Sequence, residues 1–181
     1  MSVFLQPIYT QTVGSGGASS ITFNNIPQTF TDLKIVMSGR SSFSTGDAFF
    51  MQIGTSGSID SAAHYSNTRL LGNGGATISD KYSGKTGIFY YAAMPGAGST
   101  ANTFNNAEIY IPNYTSSNYK QILLDNVAEN NSATTYTEQD LMAGLWQNSG
   151  SVTNIMFATF NGGNFVQYST FSLYGVLRQG I

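Results

Sequence analysis

The chain contains no cysteine among its 181 residues, so disulfide bridges, thiolate metal sites and thiol nucleophiles are all excluded. It has one histidine, His64, and one tryptophan, Trp146. Zinc sites draw three or four ligands from His, Cys and carboxylates, so a histidine-based metal centre is not expected. Charge is equally scarce: Lys, Arg, Asp and Glu make up 9% of the chain, against about 25% in a typical soluble domain. A net charge of −2 and a pI near 5.1 offer no long-range attraction to nucleic acid or anionic lipid. No apolar run approaches the roughly 18 residues of a membrane-spanning helix. The first seven residues lack the basic and apolar stretches of a secretory signal. The expectation is a protein made in a cytosol, with no nucleic-acid partner, no membrane partner and no cofactor.

Neutral polar residues fill the space that charge leaves: 22 Ser, 19 Thr, 16 Asn and 20 Gly. Aromatic residues remain at 13%, which separates the chain from disordered polar tails. Surface scaling gives roughly 8,500 Å² when folded against roughly 28,000 Å² unfolded, enough burial for one core. A single domain over 1–181 is expected, with a short extended segment over about residues 1–10. A surface carrying so few charges suits a protein held in a permanent assembly better than a free cytosolic enzyme.

Apolar residues alternate, and clusters of Gly, Asn and Ser break the alternation every ten to eighteen residues, which is an all-β pattern. Over 32–40, Leu33, Ile35 and Met37 share one face while Lys34, Val36 and Ser38 share the other. Phe49, Met51 and Ile53 alternate over 48–53, and strands are also expected over 88–93 and 107–111. Further strands are read over 119–127, 141–147, 152–160 and 171–177, with shorter ones over 5–10, 20–23 and 64–71. Nine to eleven strands without intervening helices require antiparallel connections, and two sheets burying their inner faces on each other. An antiparallel β-sandwich of jelly-roll type fits this number. Loops are expected over 43–47, 54–63, 72–87, 96–105 and 128–138.

Catalytic constellations are thin. No Gly-x-Ser-x-Gly elbow accompanies His64, and the Gly-rich stretches 72–75 and 161–164 precede no helix and carry no Lys-Ser/Thr. Glu138 and Asp140 are the nearest pair of carboxylates, and a glycosidase needs two. If Leu141 points inward, alternation places both on the solvent face. Asp125 and Glu129 read the same way, as solvated acids at the start of a polar loop. Trp146 reads as a core or interface residue. The sequons at Asn113 and Asn130 are chance matches in a chain without a secretory signal. The Asp47, Asp60 and Asp80 loops lack EF-hand spacing. No catalytic residue and no metal ligand is assigned.

Three segments then carry a resemblance: Ser20-Ile21-Thr22-Phe23-Asn24-Asn25-Ile26-Pro27-Gln28-Thr29-Phe30-Thr31-Asp32-Leu33, Glu108-Ile109-Tyr110-Ile111-Pro112-Asn113-Tyr114, and Ser169-Thr170-Phe171-Ser172-Leu173-Tyr174-Gly175-Val176. In this order they resemble a family of small virion proteins of tailed bacteriophages, common among aquatic and cyanobacterial phages. The resemblance implies a non-enzymatic structural role, foremost a decoration or cement protein on the outside of the capsid. Its implied partners are the major capsid protein and copies of itself, as a homotrimer at local three-fold positions. Few charges suit such a covered interface, because exposed charge is costly to desolvate. Candidate contact residues are Phe4, Leu5 and Pro7 in the N-terminal segment and Tyr110, Tyr114 and Tyr119 around the 111–118 loop, Tyr114 reading equally as the cover over the end of its own sandwich. The other reading is a tail-fibre or spike module recognising host glycan, with Tyr and Asn residues converging on exposed loops.

Overall fold

The computed structural model describes residues 3–131 and 137–178. Part of the loop expected over 128–138, Ser132 of the second sequon and the first two residues of the N-terminal segment lie outside the described residues. Strands account for all the regular structure described: β1 (Val3–Thr12), β2 (Ser20–Phe23), β3 (Asp32–Ser38), β4 (Asp47–Thr55), β5 (Ser58–Ile59), β6 (Tyr65–Gly72), β7 (Thr77–Lys85), β8 (Ile88–Met94), β9 (Asn106–Ile111), β10 (Lys120–Ala128), β11 (Glu138–Trp146), β12 (Asn154–Thr159) and β13 (Thr170–Arg178). They form two antiparallel sheets. The larger has the order β1-β13-β3-β9-β10-β11-β6-β7, and the smaller β2-β12-β4-β5 with β8 also paired to β4. This is the expected antiparallel, jelly-roll-like β-sandwich, and its surface of 8533 Å² matches the scaling value.

Thirteen strands exceed the nine to eleven expected, for a physical reason. The 72–87 segment, expected as a loop, is largely strand β7. It lies at the edge of the larger sheet and is mostly solvated, so it needs no apolar alternation. The 54–63 loop similarly contains the two-residue β5, which returns onto the end of β4. The strand expected over 5–10 runs longer: β1 pairs with β13 from Val3 to Thr12, interrupted by a bulge between Pro7 and Tyr9. Pro7 cannot donate to a ladder, and the bulge accommodates it at an edge where such interruptions are tolerated.

The core follows from alternation. One rung of the larger sheet runs Leu173–Ile35–Ile109–Leu124–Met142–Arg69–Asp80. Its apolar members lie beneath the smaller sheet, where Phe23, Phe49, Phe157, Phe165 and Phe171 touch edge-on or tilted at centroid separations of 4.9–6.4 Å. The same rung turns polar at Arg69 and Asp80, on the last two strands of the sheet. One end of the sandwich is closed by Trp146, whose Nε1 donates to Asp60 Oδ2 at 2.9 Å. The Tyr65 hydroxyl there donates to the Asp60 carbonyl and accepts from the Ile53 amide. Lys120 is buried over the Trp146 ring and donates to the Ser116 and Asn118 carbonyls, and burial holds its pKa below the usual lysine value.

Tyr114 is wholly buried and its hydroxyl donates to the Pro27 carbonyl, tying the turn after β9 to the corner before β3. Tyr114→Phe removes that donor and leaves a half-buried carbonyl unpaired. A loss of about 1 kcal/mol is expected, at the size of a net neutral hydrogen bond. Urea unfolding of the variant, with an unchanged m-value, checks it.

Candidate functional site

A strand that alternates strictly can bury only one of two adjacent apolar residues. Strand β10 contains Ile122-Leu123-Leu124, β6 contains Leu70-Leu71 and β11 contains Leu141-Met142. Ile122, Leu124, Leu71 and Met142 are inside, so Leu123, Leu70 and Leu141 stand on the outer face of the larger sheet, each 50% exposed. Leu141 and Leu70 are directly paired, and Leu123 lies on the next rung beside Ala143 and Tyr110. That rung continues through Lys34 and Tyr174 to Pro7. A groove of about 430 Å³ follows this face, lined by Leu5, Lys34, Glu108, Tyr110, Leu123 and Val176 among others. Its charges are few: Lys34 and Glu108 pair across the floor at 2.8 Å, and Asp125 stands beside them.

The candidate contact residues divide against this surface. Leu5, Pro7 and Tyr110 belong to the outer face. Tyr110 is half-buried, and its hydroxyl donates to Asp32 Oδ2, a carboxylate that also accepts from the Asn113 amide at 2.8 Å. Phe4 is 54% exposed but sits on the opposite face of β1 from Leu5. Tyr119 is exposed just before β10, away from the groove. Tyr114 is not available as a contact: it is wholly buried and covers the end of its own sandwich, the other reading of this residue, and its hydroxyl has a backbone acceptor. The three tyrosines therefore do not converge. Leu70, Leu123 and Leu141, not singled out from the sequence as contacts, also stand on this face, and their signal was the adjacent apolar pairs within single strands.

The second correction concerns β11. Leu141 faces out and Asp140 is wholly buried, the reverse of the expected orientation. Both parities of β11 are apolar, Leu141-Ala143-Leu145 against Met142-Gly144-Trp146, and the bulkier Trp146 takes the inside. Asp140 is accommodated there because Asn126 Nδ2 and the Ala93 amide donate to its Oδ2 at 3.0 and 3.1 Å. Glu138 shares the same inward parity. Burial pushes the Glu138 carboxyl up, its neighbour Asp140 pushes it further, and Arg69 only partly offsets this. Asp140 is also raised by burial, against the pull of Asn126, Ala93 and Arg69. His64 is exposed and its Nδ1 meets Asp60 Oδ2 at 2.9 Å, with no serine in the arrangement. Asp47 is spent internally, bonded by Ser41, the Ala48 amide and Asn161. Among the described residues no group of three or more metal-ligating side chains comes together.

No family model matches the chain, and no curated protein matches it. Among solved structures it is similar to domains LG4-5 of the mouse laminin α1 chain, at 13% identity and a TM-score of 0.34, covering 96% of this chain. It spans 42% of that laminin chain's length. It is also similar to the CBM2 module of the evolved Dit of Lactobacillus casei BL23 phage J-1, at 10% identity and a TM-score of 0.26, covering 97% of this chain and 78% of that one. Arcelin-5, a lectin-like defense protein of Phaseolus vulgaris, follows at 9% identity and a TM-score of 0.17, covering 94% and 92%. Likeness at this level carries no functional inference.

The raised carboxyls have a measurable consequence. A folded-state pKa above the unfolded value means the folded chain holds those protons more tightly, so stability falls as pH rises through the raised values. The window lies above the ordinary values of 4.5 for Glu138 and 3.8 for Asp140. Asp60 runs the other way. Burial pushes it up, but hydrogen bonds from His64, Trp146 and the Ala62 amide outweigh that and hold it below its ordinary 3.8. Its contribution is full above 3.8 and is lost only as pH falls through the depressed value, outside the window. The melting temperature is therefore expected to rise as pH falls from 8 toward 5, and a Glu138→Gln/Asp140→Asn variant should flatten that slope in calorimetric scans.

Proposed function

We propose that the chain is a non-catalytic structural module that attaches to a protein partner through the outer face of its eight-stranded sheet. The observation that carries this reading is the row of half-exposed leucines, Leu70, Leu141 and Leu123, continuing into the groove beside Tyr110 and Leu5. Contiguous apolar surface of this kind marks interaction sites. The single ion pair on the groove floor and the scarcity of charge across the chain keep the desolvation cost of covering it low.

The resemblance of three segments to tailed-phage virion proteins supplies the partner in this proposal: the major capsid protein, bound on the outside of the shell by homotrimers that brace neighbouring subunits. Closed symmetry suits such a role, since a closed ring limits growth where a sheet face alone would not. The buried position of Asp140 and the orientation of Glu138 toward Arg69 favour a binding role over acid–base hydrolysis. Recognition of host glycan by Tyr110, Tyr114 and Tyr119 draws less support, because those residues do not meet.

Co-sedimentation with capsid shells stripped of decoration tests the proposal. The parent protein should bind saturably. Leu123→Lys and Leu141→Lys, both at exposed positions, should melt normally and bind at least about tenfold more weakly, as expected when a charge enters a desolvated interface. Retained binding by both variants, or immunogold label confined to the tail tip of intact virions, would overturn it.

A further inference from the structure

Four strands of the outer face carry a pattern that is symmetric about one leucine pair. Leu141 of β11 and Leu70 of β6 are direct partners, and their rung runs Asp125–Leu141–Leu70–Ser79 across β10, β11, β6 and β7. The next rung on the same face runs Leu123–Ala143–Thr68–Lys81 over the same strands. Strands β10 and β7 thus flank the leucine pair at equal distance. To this face β10 brings an acid and a leucine, and β7 brings a base.

Most charge on the face is already matched. Lys34 and Glu108 form their own pair at 2.8 Å, and Asp32 accepts from Tyr110 and Asn113. Among the described residues, Asp125 and Lys81 are the charged side chains of this face left outside any ion pair or hydrogen bond, and both are exposed. They stand three strands apart, about 14 Å, too far to meet within one chain.

A two-fold axis parallel to the strands, passing between β11 and β6, brings them together in trans. It lays β11 on β6 of a second copy and β10 on its β7, with the rungs in step. Leu141 then meets Leu70 of the second copy, and the contact occurs twice. Lys81 of the second copy comes over Leu123, its methylene stem covering that leucine and its ammonium reaching Asp125, two residues along β10. Self-complementarity of this kind, in which i meets j and j meets i, is what an isologous interface demands. Four strands at about 4.8 Å spacing and about eight residues long cover roughly 500 Å² per copy. The total of roughly 1,000 Å² sits at the lower limit for a specific interface, so the pair exchanges.

We infer that two copies of this chain pair face to face through β10, β11, β6 and β7, joined by Leu141–Leu70 contacts and two Lys81–Asp125 ion pairs. This pairing rests on the leucine face being an interface, as proposed above. It adds that the free chain covers the face with its own copy, which a capsid partner has to displace.

Sedimentation equilibrium of the full chain tests the inference. A monomer–dimer equilibrium with a dissociation constant on the order of 10 µM is expected, the weak end for so small an interface. Lys81→Glu and Asp125→Lys should each weaken it at least about thirtyfold, because like charge then faces like charge twice. Both positions are exposed, so the melting temperatures should hold. Mixed one to one, the two variants should recover the dimer near the parent affinity, since each supplies the charge the other lacks. A parent that stays monomeric up to about 200 µM, a trimer in free solution, dimerisation untouched by either variant, or no recovery on mixing overturns the inference. Loss of shell binding by a parent that still dimerises overturns the capsid reading and leaves the pairing standing.

Discussion

Eight strands packed against a narrower sheet set the chemistry of the whole molecule. A sheet face can be apolar only where another layer covers it. Toward the β7 edge the rung that begins with Leu173 and Ile35 changes character, at Arg69 and Asp80. On β6 and β7 an ion pair and an amide stand among the inward residues, although Tyr65 and Leu71 of β6 stay buried beside them. The leucines of the opposite face follow the reverse logic, remaining apolar with nothing described above them.

Strand β8 is tied to the larger sheet by a buried polar chain. The Gly39 amide donates to Asn105, Asn105 donates to Asn126, and Asn126 donates both to the Ala93 carbonyl and to Asp140. Asp140 in turn accepts from the Ala93 amide, so two side chains of the larger sheet hold both backbone groups of one β8 residue. Strand β8 needs this support because its own pairing with β4 is irregular and its residues Phe89 and Tyr91 have φ of 64° and 74°. It also packs closely on β11, where a Cβ at Gly144 would meet Ile88 Cδ1 at 2.1 Å. Backbone strain of this kind persists only where surroundings over-determine it, and the asparagine–aspartate chain supplies that constraint.

How much of this was legible in the sequence depends on burial. Strand β3 and strand β9 alternate cleanly because one face is covered and the other solvated, and both are readable from Leu33, Ile35, Met37, Ala107, Ile109 and Ile111. Strand β7 was hidden because an edge strand with little buried surface needs no periodicity. In β11 both parities are apolar, so the orientation of Asp140 depended on its partners Asn126 and Ala93, which lie far away in sequence. The leucine face was half visible: Leu5, Pro7 and Tyr110 were named for other reasons, whereas Leu70, Leu123 and Leu141 required knowing which of two adjacent residues went in. The packed cluster of Tyr82, Tyr91 and Phe160 was not legible, since the three rings come from separate strand regions with no shared pattern.

The last strand of the larger sheet carries a consequence for assembly in time. Strand β13 lies between β1 and β3, so those two strands have no contact across the sheet until β13 has been made. Pairing Val3 with Arg178 closes a loop spanning almost the full length, the kind of non-local contact that slows folding. During synthesis one edge of β3 stays open, with Ile35 and Met37 uncovered beside it. Folding of this sheet thus waits on β13, and chains lacking β13 leave an unpaired, aggregation-prone edge.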